Sequence, residues 1–167
     1  MRKQYLFLLT LLILALVLLS VPMTYLTVED DCGRLVLTPA LGLGRRFSLK
    51  YRHSVEKTLC WEDFIVNKDG GLVLVATRYE SLGVGLPFAV GEGELDNKEG
   101  QFHLTGLDRH FPFLSLRTMP VAEHALLVRG WTYKLTDFFT PGAMIRIEAQ
   151  DLSLLQLLSY KLSKGEE

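Results

Sequence analysis

The chain has 167 residues, of which 49% are hydrophobic and 22% are charged, and its net charge is −1. This length fits one modest domain plus a targeting segment and excludes a second domain. Without Arg2 and Lys3, 16 basic residues stand against 19 acidic ones, a balance of −3. No basic patch indicates binding to nucleic acid or to anionic lipid.

An apolar segment follows the two leading cations. No charged residue occurs between Lys3 and Glu29, and residues 5–21 are nearly all Leu, Ile, Val, Phe and Ala. The uncharged stretch approaches the ~20 residues that a spanning helix needs, and the residues after it offer only a poor signal-peptidase site. We expect residues 1–28 to form an uncleaved signal anchor, with a cleaved leader as the alternative.

The charges on either side of this segment predict its orientation. Arg2 and Lys3 precede it, and the acidic run 29–31 follows it. Positive residues stay on the cytoplasmic side of a membrane helix. The domain that follows, residues 29–150, is therefore expected in the periplasm or another extracytoplasmic space.

Short apolar runs separated by turn residues fill residues 29–150, and they are rich in β-branched and aromatic side chains. This pattern predicts an all-β domain, built as an antiparallel β-sandwich or a partly open barrel. The predicted strands are Arg34–Thr38, Arg45–His53, Trp61–Asn67, Leu72–Tyr79, Gln101–Thr105, Phe113–Thr118, Ala125–Arg129 and Ala143–Ala149.

Two further segments have distinctive patterns. The glycines of residues 67–71 predict a hairpin turn. Residues 72–76 are apolar at both odd and even positions, so both faces of this strand are expected to be buried, as in a central strand.

After Asp151, a plausible helix cap, leucines recur on one helical face through residue 162. Residues 151–167 are thus predicted to be a short amphipathic helix and tail, packed on the domain or lying on a membrane or partner.

A long glycine-rich loop is predicted between residues 81 and 100. Gly83 and Gly85 permit tight turns, and Pro87 holds the residue before it extended. Loops longer than about 15 residues in a compact domain are usually functional or mobile. A shaped lid or strand connection and a ligand-binding loop are the two interpretations.

The densest polar chemistry lies between residues 51 and 62. Phe47, Leu49, Tyr51 and His53 alternate with polar residues, as in a strand with one buried face. In one interpretation this stretch is a structural corner. In the other it is a polar site at the rim of the domain, where binding residues collect. The candidate site residues here are Tyr51, Arg52, His53, Ser54, Glu56 and Glu62.

A family resemblance appears at this stretch. The first motif is Tyr51-x-His53-Ser54-Val55-Glu56-x-Thr58, followed by Glu62. The second is Ser81-Leu82-Gly83-Val84-Gly85-Leu86-Pro87. The two motifs resemble those of the DUF1850 family of small exported proteins, and the resemblance covers roughly residues 33–149. Members are often encoded beside the membrane subunit of TAXI-class TRAP transporters. The resemblance implies an exported location and a transporter nearby, and it implies no particular activity.

The two cysteines, Cys32 and Cys60, leave two alternatives open. An even count in an oxidising compartment favours a disulfide, whereas two isolated thiols are the simpler arrangement. No C-x-x-C spacing indicates dithiol exchange.

No spacing in the chain predicts an enzyme, a metal site or a cofactor. The four histidines lack H-x-x-x-H and H-E-x-x-H patterns, and neither Ser54 nor Ser81 lies in G-x-S-x-G. A hydrolase or metal enzyme is therefore only the third hypothesis.

The first hypothesis is a membrane-anchored accessory or interaction module that contacts the membrane subunit or the solute-binding protein of a TAXI-class TRAP transporter. The second is a domain that binds a small organic anion. In that case Arg52 or Arg78 would offer a guanidinium to a carboxylate, beside His53 and Glu56 and under the glycine-rich loop.

Overall fold

The structure is a computed structural model that describes residues 2–80, 93–98 and 100–164. Gly83, Gly85 and Pro87 lie outside the described residues. The chain divides into two compact units. One contains residues 1–24 and 151–167, and the other contains residues 25–150.

The first unit carries both α-helices. Helix α1 (Arg2–Ser20) is exposed along its apolar length. Its residues Lys3–Ser20 have a mean hydropathy of 2.1, and among the described helices this one is long and apolar enough to cross a membrane. A signal sequence meets the same criterion. The hydroxyls of Thr10 and Ser20 donate to carbonyls one turn earlier, so neither requires a solvent partner.

Helix α2 spans Leu154–Lys164, and its N-terminal cap is Ser153 rather than the predicted Asp151. The Gln156 backbone N–H donates to Ser153 Oγ at 3.2 Å, and the Ser153 N–H donates to Gln156 Oε1 at 2.8 Å. This reciprocal pair is a capping box. Asp151 instead accepts a hydrogen bond from the Thr24 hydroxyl at 2.6 Å. Leu154, Leu155 and Leu158 are exposed.

The second unit is an all-β sandwich of two antiparallel sheets. A four-stranded sheet has the order β2-β1-β11-β8, and a seven-stranded sheet has the order β10-β9-β3-β4-β5-β7-β6. The strands are β1 Met23–Asp30, β2 Leu35–Leu37, β3 Arg46–Arg52, β4 Leu59–Val66, β5 Leu72–Tyr79, β6 Glu94–Lys98, β7 Gln101–Phe111, β8 Leu114–Arg117, β9 Ala125–Val128, β10 Trp131–Lys134 and β11 Met144–Leu152.

One hydrophobic core joins the facing sides of both sheets. The smaller sheet contributes Leu26 and Ile145, and the larger contributes Phe64 among others. The Phe47 and Phe64 rings stack at 5.1 Å between centroids. Alternating apolar residues on β3 and β4 thus bury one face of the large sheet and leave the other, its outer face, to polar side chains.

All eight predicted strands are present, and three more were not predicted. Strand β1 is the most consequential, because it occupies residues assigned to the anchor. The apolar helix expected within residues 1–28 therefore ends at Ser20, and Tyr25, Leu26 and Val28 are buried residues of the sandwich.

The predicted turn at residues 67–71 does connect two paired strands, β4 and β5, with Gly70 at φ +84. Strand β5 lies inside the large sheet, between β4 and β7. A register shift between Leu74 and Ala76 places Val75 in a bulge. Since a bulge inverts the alternation, Leu74 and Thr77 both face the core although they are three residues apart.

Candidate functional site

The polar stretch 51–62 folds as the β3–β4 hairpin. Tyr51 pairs with Cys60, and the strands continue in register to Arg46 and Ile65. The turn is closed by the His53 N–H donating to the Thr58 carbonyl at 2.9 Å and the Lys57 N–H donating to the His53 carbonyl at 3.0 Å. Lys57 has φ +58, in the left-handed region.

Three of the candidate residues build this turn. The backbone N–H of Glu56 donates to Nδ1 of His53 at 3.2 Å, which ties the His53 ring to the turn. Ser54 is exposed at the tip. These contacts are those of the structural corner, the first of the two interpretations.

Arg52 stabilises the same corner from the outer face. Its guanidinium donates to the Lys57 carbonyl at 2.7 Å and to both carboxylate oxygens of Glu123 at 3.3 Å. The hydrogen bond and the charge of Arg52 hold the pKa of the Glu123 carboxyl below its usual value. Arg52 is thus occupied by a carboxylate of the chain itself.

Tyr51 and Glu62 lie on the inner face of the hairpin, with Cys60. The Tyr51 hydroxyl donates to Glu62 Oε1 at 3.1 Å. Burial raises the pKa of the Glu62 carboxyl, against the lowering effects of that hydrogen bond and of the Arg109 charge. Burial, and then the Glu62 charge, raise the pKa of the Tyr51 hydroxyl.

Cys60 is fully buried beside this pair. Burial, followed by the charge of Glu62, raises the pKa of the Cys60 thiol to about 11. A thiol with such a pKa remains protonated at neutral pH and is a poor nucleophile. Of the two alternatives left open for the cysteines, the structure has free thiols, with Cys32 exposed and Cys60 buried.

The outer face of the hairpin carries a different cluster. The Lys50 ammonium lies 5.7 Å from the centroid of the Trp61 ring, and the Arg78 guanidinium carbon lies 5.6 Å from it. Lys50 and Arg78 flank Trp61 because both are its cross-strand partners, on β3 and β5. We call Lys50, Trp61 and Arg78 the Trp61 patch.

Asp63 fixes one side of the Trp61 patch. It accepts a hydrogen bond from the Ser48 hydroxyl at 2.5 Å and one from the Arg78 guanidinium at 3.2 Å. The Asp63 carboxylate therefore holds the Arg78 guanidinium beside the Trp61 ring. Such cation–π contacts at partly exposed sites contribute about 0.5–1 kcal/mol each.

Sequence patterns indicated Arg78 as a candidate site residue but not Lys50, Trp61 or Asp63. The hairpin register would have identified them. Once six residues are assigned to the turn, Lys50 must lie opposite Trp61 and Ser48 opposite Asp63. Without that loop length, period-two alternation alone does not align the two strands.

One group of described residues brings three ligand atoms within 4.8 Å of one another, namely Asp30, Asp31 and Cys32. Asp30 Oδ1 already accepts hydrogen bonds from the backbone N–H groups of Cys32 at 3.0 Å and Arg34 at 2.7 Å. The Asp30 carboxylate therefore shapes the turn after β1.

Comparisons with known proteins give one match. The family model described as a domain of unknown function, DUF1850, matches residues 47–135, more than half of the chain. That range includes the hairpin and the whole Trp61 patch. No curated protein and no solved structure matches the chain. The chain therefore belongs to the DUF1850 family.

Proposed function

We propose that this protein is a membrane-anchored extracytoplasmic accessory module that binds a component of a TAXI-class TRAP transporter through the Trp61 patch. Helix α1 would hold the domain at the membrane. The partner would be the membrane subunit or the solute-binding protein. The observation that carries the proposal is the position of Trp61 between the Lys50 and Arg78 cations on the outer face of the large sheet.

The composition of the patch supports partner binding. Tryptophan and arginine dominate the energetically important positions of protein interfaces. Here Asp63 orients Arg78, and Trp61 lies on a strand that is paired on both sides. A side chain that is ordered before binding loses less entropy on association.

The charge of the patch indicates the chemistry of its partner. Lys50 and Arg78 supply two positive charges, and Asp63 offsets one of them. A complementary surface would present carboxylates or carbonyl oxygens around an apolar slot for the indole. Tethering by α1 would raise the local concentration of such a weakly bound partner.

The contacts of Arg52 and Arg78, the two arginines expected to bind an organic anion, favour partner binding over anion binding at these residues. Glu123 engages Arg52, and Asp63 engages Arg78. A carboxylate ligand at either arginine would have to displace a carboxylate already in place. A partner protein can instead contact the Trp61 patch without breaking either pair.

Co-purification of the full-length protein from native membranes tests the proposal. Trp61→Ala removes the central ring of the patch, and Trp131→Ala, at a residue 69% exposed on β10, is the matched control. We expect the wild type and Trp131→Ala to recover a transporter component, and Trp61→Ala to recover at least about tenfold less, as for an interface hot spot.

Melting curves of both variants establish that they remain folded. Equal recovery by Trp61→Ala and the wild type would contradict the role of the patch. Recovery of no transporter component by the wild type would contradict the proposed function itself.

A further inference from the structure

A second feature of the outer face lies beside the hairpin. A cavity of about 280 Å³ opens between β3, β9 and β10 and the two 3-10 turns at Pro120–Ala122 and Leu135–Asp137. The residues that decide its chemistry are Lys50, Glu123, Ala125, Thr132, Lys134 and Asp137. Small-molecule sites typically span ~300–1,000 Å³, so this volume suits a small metabolite.

Strand register explains why a cavity forms there. Lys50 pairs with Ala125 on one side, and Lys134 pairs with Ala125 on the other. The three side chains thus form one row on the same face, with the smallest in the middle. Two strand spacings separate the lysines by about 10 Å, and Ala125 provides a floor between them.

The charges that line the cavity are unequally paired. Glu123 pairs with Arg52, and the charges of Lys50 and Lys134 also help to lower the pKa of its carboxyl. Within the part of the chain that the structure describes, no carboxylate lies within ion-pair distance of Lys50 or Lys134. Lys50 and Lys134 therefore line the cavity together with two carboxylates, Glu123 and Asp137, neither of which forms an ion pair with a lysine.

We propose that this cavity binds a small organic carboxylate that also carries a hydroxyl or ammonium group. The two lysines bind the carboxylate by charge-assisted hydrogen bonds, which are about twice as strong as neutral ones. Asp137 and Thr132 accept hydrogen bonds from the donor group. Uncharged analogues and simple amines lack the group that the lysines require.

This site goes beyond the proposed function, because it takes a small molecule rather than a partner protein. It also differs from the anion site predicted at Arg52 and Arg78. Lys50 belongs to both the cavity and the Trp61 patch, whereas Lys134 belongs to the cavity alone. Lys134 is therefore the residue that separates the two proposals.

Calorimetric titration of the full-length protein in detergent micelles, without any partner, tests the site. The probes are L-malate and L-glutamate, each compared with its dimethyl ester or diamide, which lacks both carboxylates. We expect at least one acid to bind and its ester or diamide not to bind. Lys134→Gln should weaken the Kd about tenfold or more, as for the loss of a charged hydrogen bond.

Lys68→Gln, at an exposed lysine in the β4–β5 turn, is the matched control and should bind as the wild type does. The proposal is overturned if neither acid shows binding at concentrations up to about 10 mM, because a Kd above that value would be weaker than that of an ordinary metabolite site. It is equally overturned if Lys134→Gln binds as tightly as the wild type. Neither result bears on co-purification through Trp61.

Discussion

The Tyr51 hydroxyl lies 3.1 Å from Glu62 Oε1, diagonally across the β3–β4 hairpin. This hydrogen bond lies on the inner face, whereas Lys50 and Trp61, their immediate neighbours in sequence, lie on the outer one. Because successive side chains of a strand point to opposite faces, the hairpin separates the polar motif into inward-facing and outward-facing residues. Tyr51 and Glu62 face the interior of the sandwich, whereas Lys50 and Trp61 are available to a partner on the outer face.

Glu62→Gln should stabilise the protein at neutral pH. Because burial raises the pKa of Glu62 in the folded state, the folded protein binds this proton more tightly than the unfolded chain does. Ionisation of Glu62 then lowers the free energy of unfolding, and this loss of stability is complete above the pKa that Glu62 has in the folded protein. The amide oxygen of glutamine can still accept the Tyr51 hydrogen bond.

Melting temperatures across a pH series measure this effect. The increase in melting temperature caused by Glu62→Gln should be largest at alkaline pH. It should disappear as the pH falls toward about 4.3, the ordinary pKa of glutamate. Glu94→Gln, at an exposed residue of β6, should show no such trend. A Glu62→Gln variant that melts below the wild type at pH 8 would show that the charge is stabilising.

Phe64→Ala should destabilise the domain strongly. Phe64 is 1% exposed and stacks on Phe47, so its truncation leaves a cavity in the shared core. The expected loss in the free energy of unfolding is about 3–5 kcal/mol. Urea denaturation of the full-length protein in micelles measures it, with Val121→Ala at an exposed position as control. A loss below about 1 kcal/mol would contradict the burial of Phe64.

Thiol labelling tests the expected location of the domain. A small charged maleimide that does not cross the cytoplasmic membrane should label Cys32 in intact cells, since this thiol is exposed. Cys60 should react only after denaturation, because it is buried and its pKa is raised to about 11. Cys32→Ser and Cys60→Ser identify the labelled residue.

Two other labelling results are informative. Labelling of Cys32 only after the cytoplasmic membrane is broken would contradict an extracytoplasmic domain. Labelling of both cysteines only after reduction would establish the disulfide that the sequence left open.

Ser153→Ala should loosen helix α2. The substitution removes the acceptor for the Gln156 N–H, at a cost of about 1 kcal/mol, which corresponds to roughly fivefold faster amide exchange in the first helical turn. Hydrogen exchange of the full-length protein measures this rate. Ser159→Ala, at an exposed position farther along the helix, should leave the first turn unchanged. Unchanged exchange in Ser153→Ala would contradict the capping box.

The sequence predicted the class of the fold because alternation on buried strands is a strong signal, and it missed strands where that signal is weak. Strand β6 (Glu94–Lys98) is a polar edge strand that resembles a solvated acidic loop. Strand β10 follows a two-residue turn formed by Arg129 (φ +50) and Gly130 (φ +84). Such turns favour Asn-Gly or Asp-Gly, so Arg-Gly gave no hairpin signal.

Strand β1 was missed for a different reason. It is buried on both faces, including Thr24 and Thr27. A strand of this kind lacks alternation, and directly after an apolar helix it extends the helix's hydrophobic stretch. Tertiary burial, rather than local pattern, distinguishes it from the anchor.

The candidate site was predictable only in part. Alternation placed Tyr51 and His53 on the inward row, but Glu62 could join Tyr51 only through a register that depends on turn length. The same register brings Trp61 between Lys50 and Arg78. The cavity beside Ala125 depends on β10, a strand that the sequence did not indicate.

Photocrosslinking in native membranes tests most directly whether the Trp61 patch contacts a partner. A benzophenone amino acid would replace Trp61 in one variant and Trp131 in the other, since both rings resemble the probe in size. We predict a crosslink to a TAXI-class transporter component from position 61 and none from position 131. Crosslinks to that component from position 131 alone, or from neither position, would contradict binding through the patch.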